Sequence, residues 1–122
     1  MKIAFTSAGT TWESIIDPRF GRTEYIVMYD EESQELSVVD NSSVKNEAHG
    51  AGTATSQRIF ELQPDVLITG NGPGDNASDA LKHLKMKILV NAHGLTLRQA
   101  YEQYKNGALK ENTSFQPINP GK

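Results

Sequence analysis

Three features of this 122-residue chain carry groups suited to holding an anion or a metal. The first is Thr69-Gly70-Asn71-Gly72-Pro73-Gly74-Asp75-Asn76, which joins a strand-like run, Asp65-Val66-Leu67-Ile68, to a helix-like run with Ala77, Ala80, Leu81 and Leu84. Its closely spaced glycines permit near approach of the backbone, so several amide N–H groups can converge with a helix N-terminus on negative charge. The plainer alternative is a strand-to-helix turn capped by Asp75 or Asn76. Neither the full P-loop pattern nor the full dinucleotide-binding glycine fingerprint is present, so the loop names no ligand.

The second segment, Asp17-Pro18-Arg19-Phe20-Gly21-Arg22, lies in the long connection between the first two predicted strands, and long connections in small domains are often functional. Arg19 and Arg22 could clasp one anionic ligand through their guanidinium forks. Alternatively, Asp17 pairs with one arginine and Phe20 plugs the core beneath the loop. The third feature is a pair of imidazoles: His49, in His49-Gly50-Ala51-Gly52, and His93, in Asn91-Ala92-His93-Gly94. Each falls at the same predicted rim of the sheet, where histidine could serve as a metal ligand. A lone surface or capping histidine is the competing reading for each, and His83, mid-helix among lysines, reads as solvated.

The elements that must position these groups follow from the apolar pattern. Strands are predicted over 2–8, 24–30, 35–40, 65–69 and 86–90, the last two as short continuous apolar runs typical of buried strands. The polar stretch Asp30–Gln34 between the second and third marks an antiparallel hairpin. Beyond residue 46 the pattern alternates helix, strand, helix, strand, helix, which implies crossover connections and parallel strands. Helices are predicted over 51–63, where Ala51, Thr55, Ile59 and Leu62 share a face and Pro64 forbids extension, over 76–85, and over 97–106. The last has Thr96 and Gln99 in capping-box spacing and Gly107 placed to end it. From Lys110 the chain is polar and proline-containing, with Phe115 its only aromatic, and is expected to be a loose tail.

Composition narrows the possibilities. A chain of this length supports one core without staples. The absence of cysteine excludes disulfides and thiolate-ligated metal or cluster sites within the chain. A formal charge of −3 offers no general attraction to nucleic acid or anionic lipid. No apolar run approaches the roughly 20 residues of a membrane span, and the N-terminus opens on a strand-like Lys2-Ile3-Ala4-Phe5 instead of a secretory signal, so a soluble, cytoplasmic protein is expected. Catalytic patterns are missing: the first strand carries no carboxylate for a two-metal nuclease, and Ser7, Ser56 and Ser78 lack the nucleophile-elbow context.

Taken in order, the DPRFGR segment, the hairpin, HGAG before a helix and the TGNGPGDNA loop resemble the dinitrogenase iron-molybdenum cofactor biosynthesis family, which includes NifX and the C-terminal part of NifB. The resemblance spans about residues 1–109, with 110–122 as a flexible tail. It implies a ribonuclease-H-like α/β fold, a five-stranded mixed sheet in order 3-2-1-4-5 with the second strand antiparallel and helices on both faces. It also implies a non-enzymatic protein that binds or carries iron-molybdenum cofactor or another metal–sulfur cluster, alongside cofactor-assembly proteins. The implied cluster-binding rim comprises Arg19, Phe20, Gly21, Arg22, His49, Gly50, Gly52, Gly70, Asn71, Gly72 and Gly74. One departure stands out: the position before Phe20-Gly21 is often histidine in the family and here is Arg19, which leaves His49 and His93 as the implied nitrogen ligands. The alternative from a different class is a small regulatory module binding a phosphorylated metabolite or nucleotide at the glycine-rich loop.

Overall fold

The first strand, β1 (Lys2–Ser7), is buried at every position after Lys2 and organises the sheet. It pairs antiparallel with β2 (Tyr25–Asp30) on one side and parallel with β4 (Val66–Ile68) on the other. Outside these, β3 (Glu35–Asp40) runs antiparallel to β2, and β5 (Lys87–Val90) runs parallel to β4. The computed structural model describes residues 1–45, 51–70 and 86–111. His49, Gly50, Asn71, Gly72, Gly74 and His83, the helix expected over 76–85 and the chain beyond Glu111 lie outside the described residues.

The expected order 3-2-1-4-5 and the antiparallel second strand are both present, but the sheet has six strands, not five. The addition is β6 (Lys110–Glu111), antiparallel to β5, so the first two residues expected in the tail belong to the sheet edge. A two-residue polar strand has no hydrophobic period to betray it; its backbone bonds to β5 are what define it. A four-residue helix, α1 (Ser42–Lys45), also escapes the sequence pattern, being shorter than the window in which helical periodicity can be read.

Strand alternation sends side chains to two cores. Ile3, Phe5, Val27, Val66, Ile68 and Leu89 face one side, where Leu97 and Ala100 of α3 (Leu97–Lys105) cover them. Ala4, Ile26, Met28, Leu67 and Ile88 face the other, where Ile59 and Leu62 of α2 (Ala51–Leu62) pack. Helices therefore lie on both faces. Ile59 is fully buried, and truncating such a side chain costs about 2–5 kcal/mol.

The helix ends follow their sequence signals. α3 begins with a complete capping box between Thr96 and Gln99. It ends in a Schellman motif: Gly107 takes the left-handed conformation at φ 73°, its N–H donates to Tyr104 O, and Ala108 N–H donates to Gln103 O. α2 ends without glycine. Gln63 adopts φ 53° immediately before Pro64.

Candidate functional site

The carboxyl ends of β1, β4 and β5, all parallel, point to one rim of the sheet, the position where open α/β sheets bind ligands. β1 leads into the long loop that carries Asp17–Arg22. That loop is stitched down at its middle: Ala8 N–H donates to Ile15 O, Asp17 N–H to Thr6 O at 2.9 Å, and Ile16 N–H to Leu95 O at 2.8 Å. Residues 15–17 are thereby held between the end of β1 and the turn that precedes α3.

Asp17 is a structural anchor. Its buried carboxylate accepts from Arg19 N and Nε through Oδ1, and from Arg19 Nη2 and Glu24 N through Oδ2, at 3.0–3.2 Å. Burial alone would raise its pKa, but these donors outweigh it and hold the carboxyl below its ordinary value. The same contacts raise Arg19. Arg19 remains half-exposed, so its charge faces solvent while one edge of its fork is committed to Asp17.

Phe20 is 4% exposed and belongs to the core on the α2 side. The pairing of Asp17 with Arg19, together with Phe20 plugging the core, is the second of the two arrangements the sequence allows. Gly21 turns the chain toward α2, where its carbonyl accepts from the buried Thr55 Oγ1 at 2.7 Å. Asn41 Nδ2 donates to both Thr23 O and Thr55 Oγ1 at 3.1 Å, tying the end of β3 into the same joint. Arg22, one residue further, is exposed.

The start of the glycine-rich loop meets the Asp17–Arg22 segment directly. Thr6 Oγ1 donates to Asp17 O and lies 2.8 Å from Thr69 Oγ1, a buried hydroxyl pair across the ends of β1 and β4. Gly70 is buried, and a Cβ placed on it would stand 2.6 Å from Pro18 Cα and 3.0 Å from His93 Cβ. Its carbonyl accepts from Asn91 N–H at 2.8 Å. Gly70 is thus the point where the loops after β1, β4 and β5 touch.

Among the implied site residues, Gly70 meets His93 and Pro18, the residue before Arg19, while Arg19 is bound to Asp17, Phe20 turns into the core, Gly21 meets Thr55 and Arg22 follows it. Gly52 lies in the first turn of α2. His49, Gly50, Asn71, Gly72 and Gly74 lie outside the described residues. Among the described residues no group of three or more His, Asp or Glu gathers as a metal site. Sequence reasoning missed Thr6, Thr23 and Asn41, and it placed Thr55 and Thr69 without seeing that they belong to the buried polar groups that lock the loops. The available signal was a hydroxyl residue closing each of two apolar strand runs at its carboxyl end.

These features define an α/β domain in which the chain segments that follow its parallel strands β1, β4 and β5 meet at one rim of the sheet. The chain belongs to the dinitrogenase iron-molybdenum cofactor family, whose sequence profile matches residues 1–107. Its fold is similar to the apo form of the orange protein from Desulfovibrio gigas, at 32% identity and a TM-score of 0.85 over 91% of this chain and 92% of that one. It is also similar to a candidate NifB protein from Thermotoga solved by NMR, at 32% identity and a TM-score of 0.78 over 97% of this chain and 98% of that one. No curated protein matches the sequence. Among the described residues no helix is long and apolar enough to cross a membrane.

Proposed function

We propose that this protein carries an anionic metal–sulfur cluster, iron-molybdenum cofactor or a related species, on the rim where the loops after β1, β4 and β5 meet. Membership of the iron-molybdenum cofactor family supports the cargo class. The observation that supports the location is the close approach of Gly70, the first residue of the glycine-rich segment, to Pro18 and to the Cβ of His93. In this reading Arg19 and Arg22 supply positive charge, the backbone N–H groups of Gly70, Asn71, Gly72 and Gly74 supply hydrogen bonds, and His49 with His93 supply nitrogen ligands.

A carrier of this kind binds through few direct bonds, because a site rich in strong ligands would retain its cargo. Release to cofactor-assembly proteins is the step it serves, in the cytoplasm, without bond-breaking chemistry of its own. The ribonuclease-H-like description of the fold belongs to the same reading. Asp17 and Phe20 act in it by positioning, since one holds Arg19 and the other anchors the loop to the core.

Anaerobic titration with iron-molybdenum cofactor, followed by gel filtration and metal analysis, tests the proposal. Metal is expected to elute with the protein, and substitution His93→Ala or Arg22→Ala is expected to weaken retention while His83→Ala leaves it unchanged. A ligand at 100 times its Kd adds about 2.7 kcal/mol of stability, so a thermal-shift panel gives an independent reading. Stabilisation by nucleotides but not by clusters would overturn the proposal in favour of phosphate recognition at the glycine-rich loop.

A further inference from the structure

On the α3 side of the sheet lies a group of aromatic rings that the carrier reading does not use. Trp12, the only tryptophan of the chain, contacts Tyr29 at 5.0 Å and Tyr101 at 5.7 Å between ring centroids. Tyr29 and Tyr101 are 5.4 Å apart, and Tyr104 lies 6.4 Å beyond Tyr101. The three inner rings touch one another too closely to form a cage for a cationic ligand. What separates Tyr101 from its neighbours is its hydroxyl, which donates to Glu31 Oε2 at 2.5 Å, at the short end for a hydrogen bond to a carboxylate. Lys105 Nζ, 3.0 Å from the same oxygen, fixes Glu31 in place.

We propose that Trp12, Tyr101 and Glu31 form a one-electron relay that moves an oxidising equivalent from the indole to the tyrosine, with Glu31 as proton acceptor. The oxidant is a radical strong enough to remove one electron from an indole. An electron then passes from the Tyr101 ring to the Trp12 radical cation, restoring neutral tryptophan. The phenolic proton moves to Glu31 Oε2, leaving a neutral tyrosyl radical and a carboxylic acid. Tyr101 loses one electron and one proton, Trp12 gains the electron, Glu31 gains the proton, and no other species is consumed. If the indole has already released its own proton to water, it regains one from water while Glu31 keeps the phenolic proton, and the sum is the same.

Two further observations favour this assignment. Tyr101 is shifted upward, first by burial and then by its hydrogen bond to Glu31, while that same hydrogen bond lowers Glu31, so at neutral pH the proton resides on the phenol and the acceptor is ionised. Proton transfer to a base already within hydrogen-bond reach needs no reorganisation. Tyr29 is nearer to Trp12, but its hydroxyl makes no hydrogen bond to a carboxylate among the described residues.

Pulse radiolysis with azide radicals, which oxidise tryptophan in preference to other side chains, tests the relay on the intact chain. Decay of the tryptophanyl absorption is expected to match growth of the tyrosyl absorption, with a rate independent of protein concentration. Tyr101→Phe, which keeps the ring and its packing, is expected to abolish most of the first-order tyrosyl signal. Glu31→Gln is expected to slow its growth roughly tenfold or more, and Tyr104→Phe to leave it unaltered. Undiminished tyrosyl growth in Tyr101→Phe, an unchanged rate in Glu31→Gln, or a rate proportional to protein concentration would each overturn the proposal. The readout needs no bound cluster, so failure of the relay and failure of the carrier reading are distinguishable.

Discussion

Gly70 and Pro18 approach so closely that a single added methyl group on the glycine would stand 2.6 Å from the proline Cα. Both partners are backbone, so neither can swing aside, and overpacking of this kind costs about 1–3 kcal/mol. Gly70→Ala is therefore expected to lower the free energy of unfolding by that amount. Chemical denaturation checks it. The loop bearing Arg19 and Arg22 should shift with it, so cargo retention should fall further than the loss of stability alone would produce.

Asp17 gives a pH signature. Its folded-state pKa lies below the ordinary carboxylate value, so its contribution to stability is complete above the unfolded pKa of about 4 and is lost as pH falls through the folded value. Asp17→Asn keeps the shape but cannot carry the charge. The difference in unfolding free energy between the natural chain and this variant is expected to be flat from neutral pH down to about 5 and to shrink below about 4. Asp17→Ala, which strands Arg19 and the Glu24 N–H, is expected to cost about 1–3 kcal/mol at neutral pH. Urea melts at a series of pH values measure both.

Gln63 offers a change in the opposite direction. It closes α2 with φ 53°, a left-handed conformation that costs a non-glycine residue about 1–2 kcal/mol. Gly pays no such cost at a helix C-terminus but is more flexible in the unfolded chain, so Gln63→Gly is expected to stabilise by about 0.5–1 kcal/mol net. A rise in the urea midpoint with unchanged slope is the expected result. The site lies at the opposite end of α2 from Thr55 and the loop joint, so cargo retention is expected to stay as it is.

Much of the architecture is legible in the sequence because its elements are governed by local rules. The apolar runs at 65–69 and 86–90 have no alternative to burial, and Thr96, Gln99 and Gly107 mark both ends of α3 by their own chemistry. The parts that escape are set by distant partners. β6 exists through its pairing with β5. Asn41 looks like an ordinary polar residue until Thr23 O and Thr55 Oγ1 come to accept from it, and the Thr55 hydroxyl has no visible role until Gly21 O meets it.

The candidate site divides in the same way. The clustering of Pro18, Gly70 and His93 follows from element order, because parallel strands bring their following loops to one rim. The division of labour inside DPRFGR does not. Whether Arg19 clasps a ligand or its own Asp17 depends on how deeply the carboxylate is buried, and whether Phe20 faces cargo or core depends on the hollow beneath the loop. Neither quantity is encoded within six residues.

The central claim, that the rim around Gly70 receives an anionic metal–sulfur species, is tested most directly by mapping amide chemical shifts during anaerobic titration with a small diamagnetic molybdenum–sulfur anion. The carrier account predicts saturable shifts at Arg19, Gly21, Arg22, Gly70 and His93, with the hairpin turn at Glu31–Gln34 unmoved. Saturable shifts confined to that hairpin, or none at any ratio of anion to protein, would contradict it.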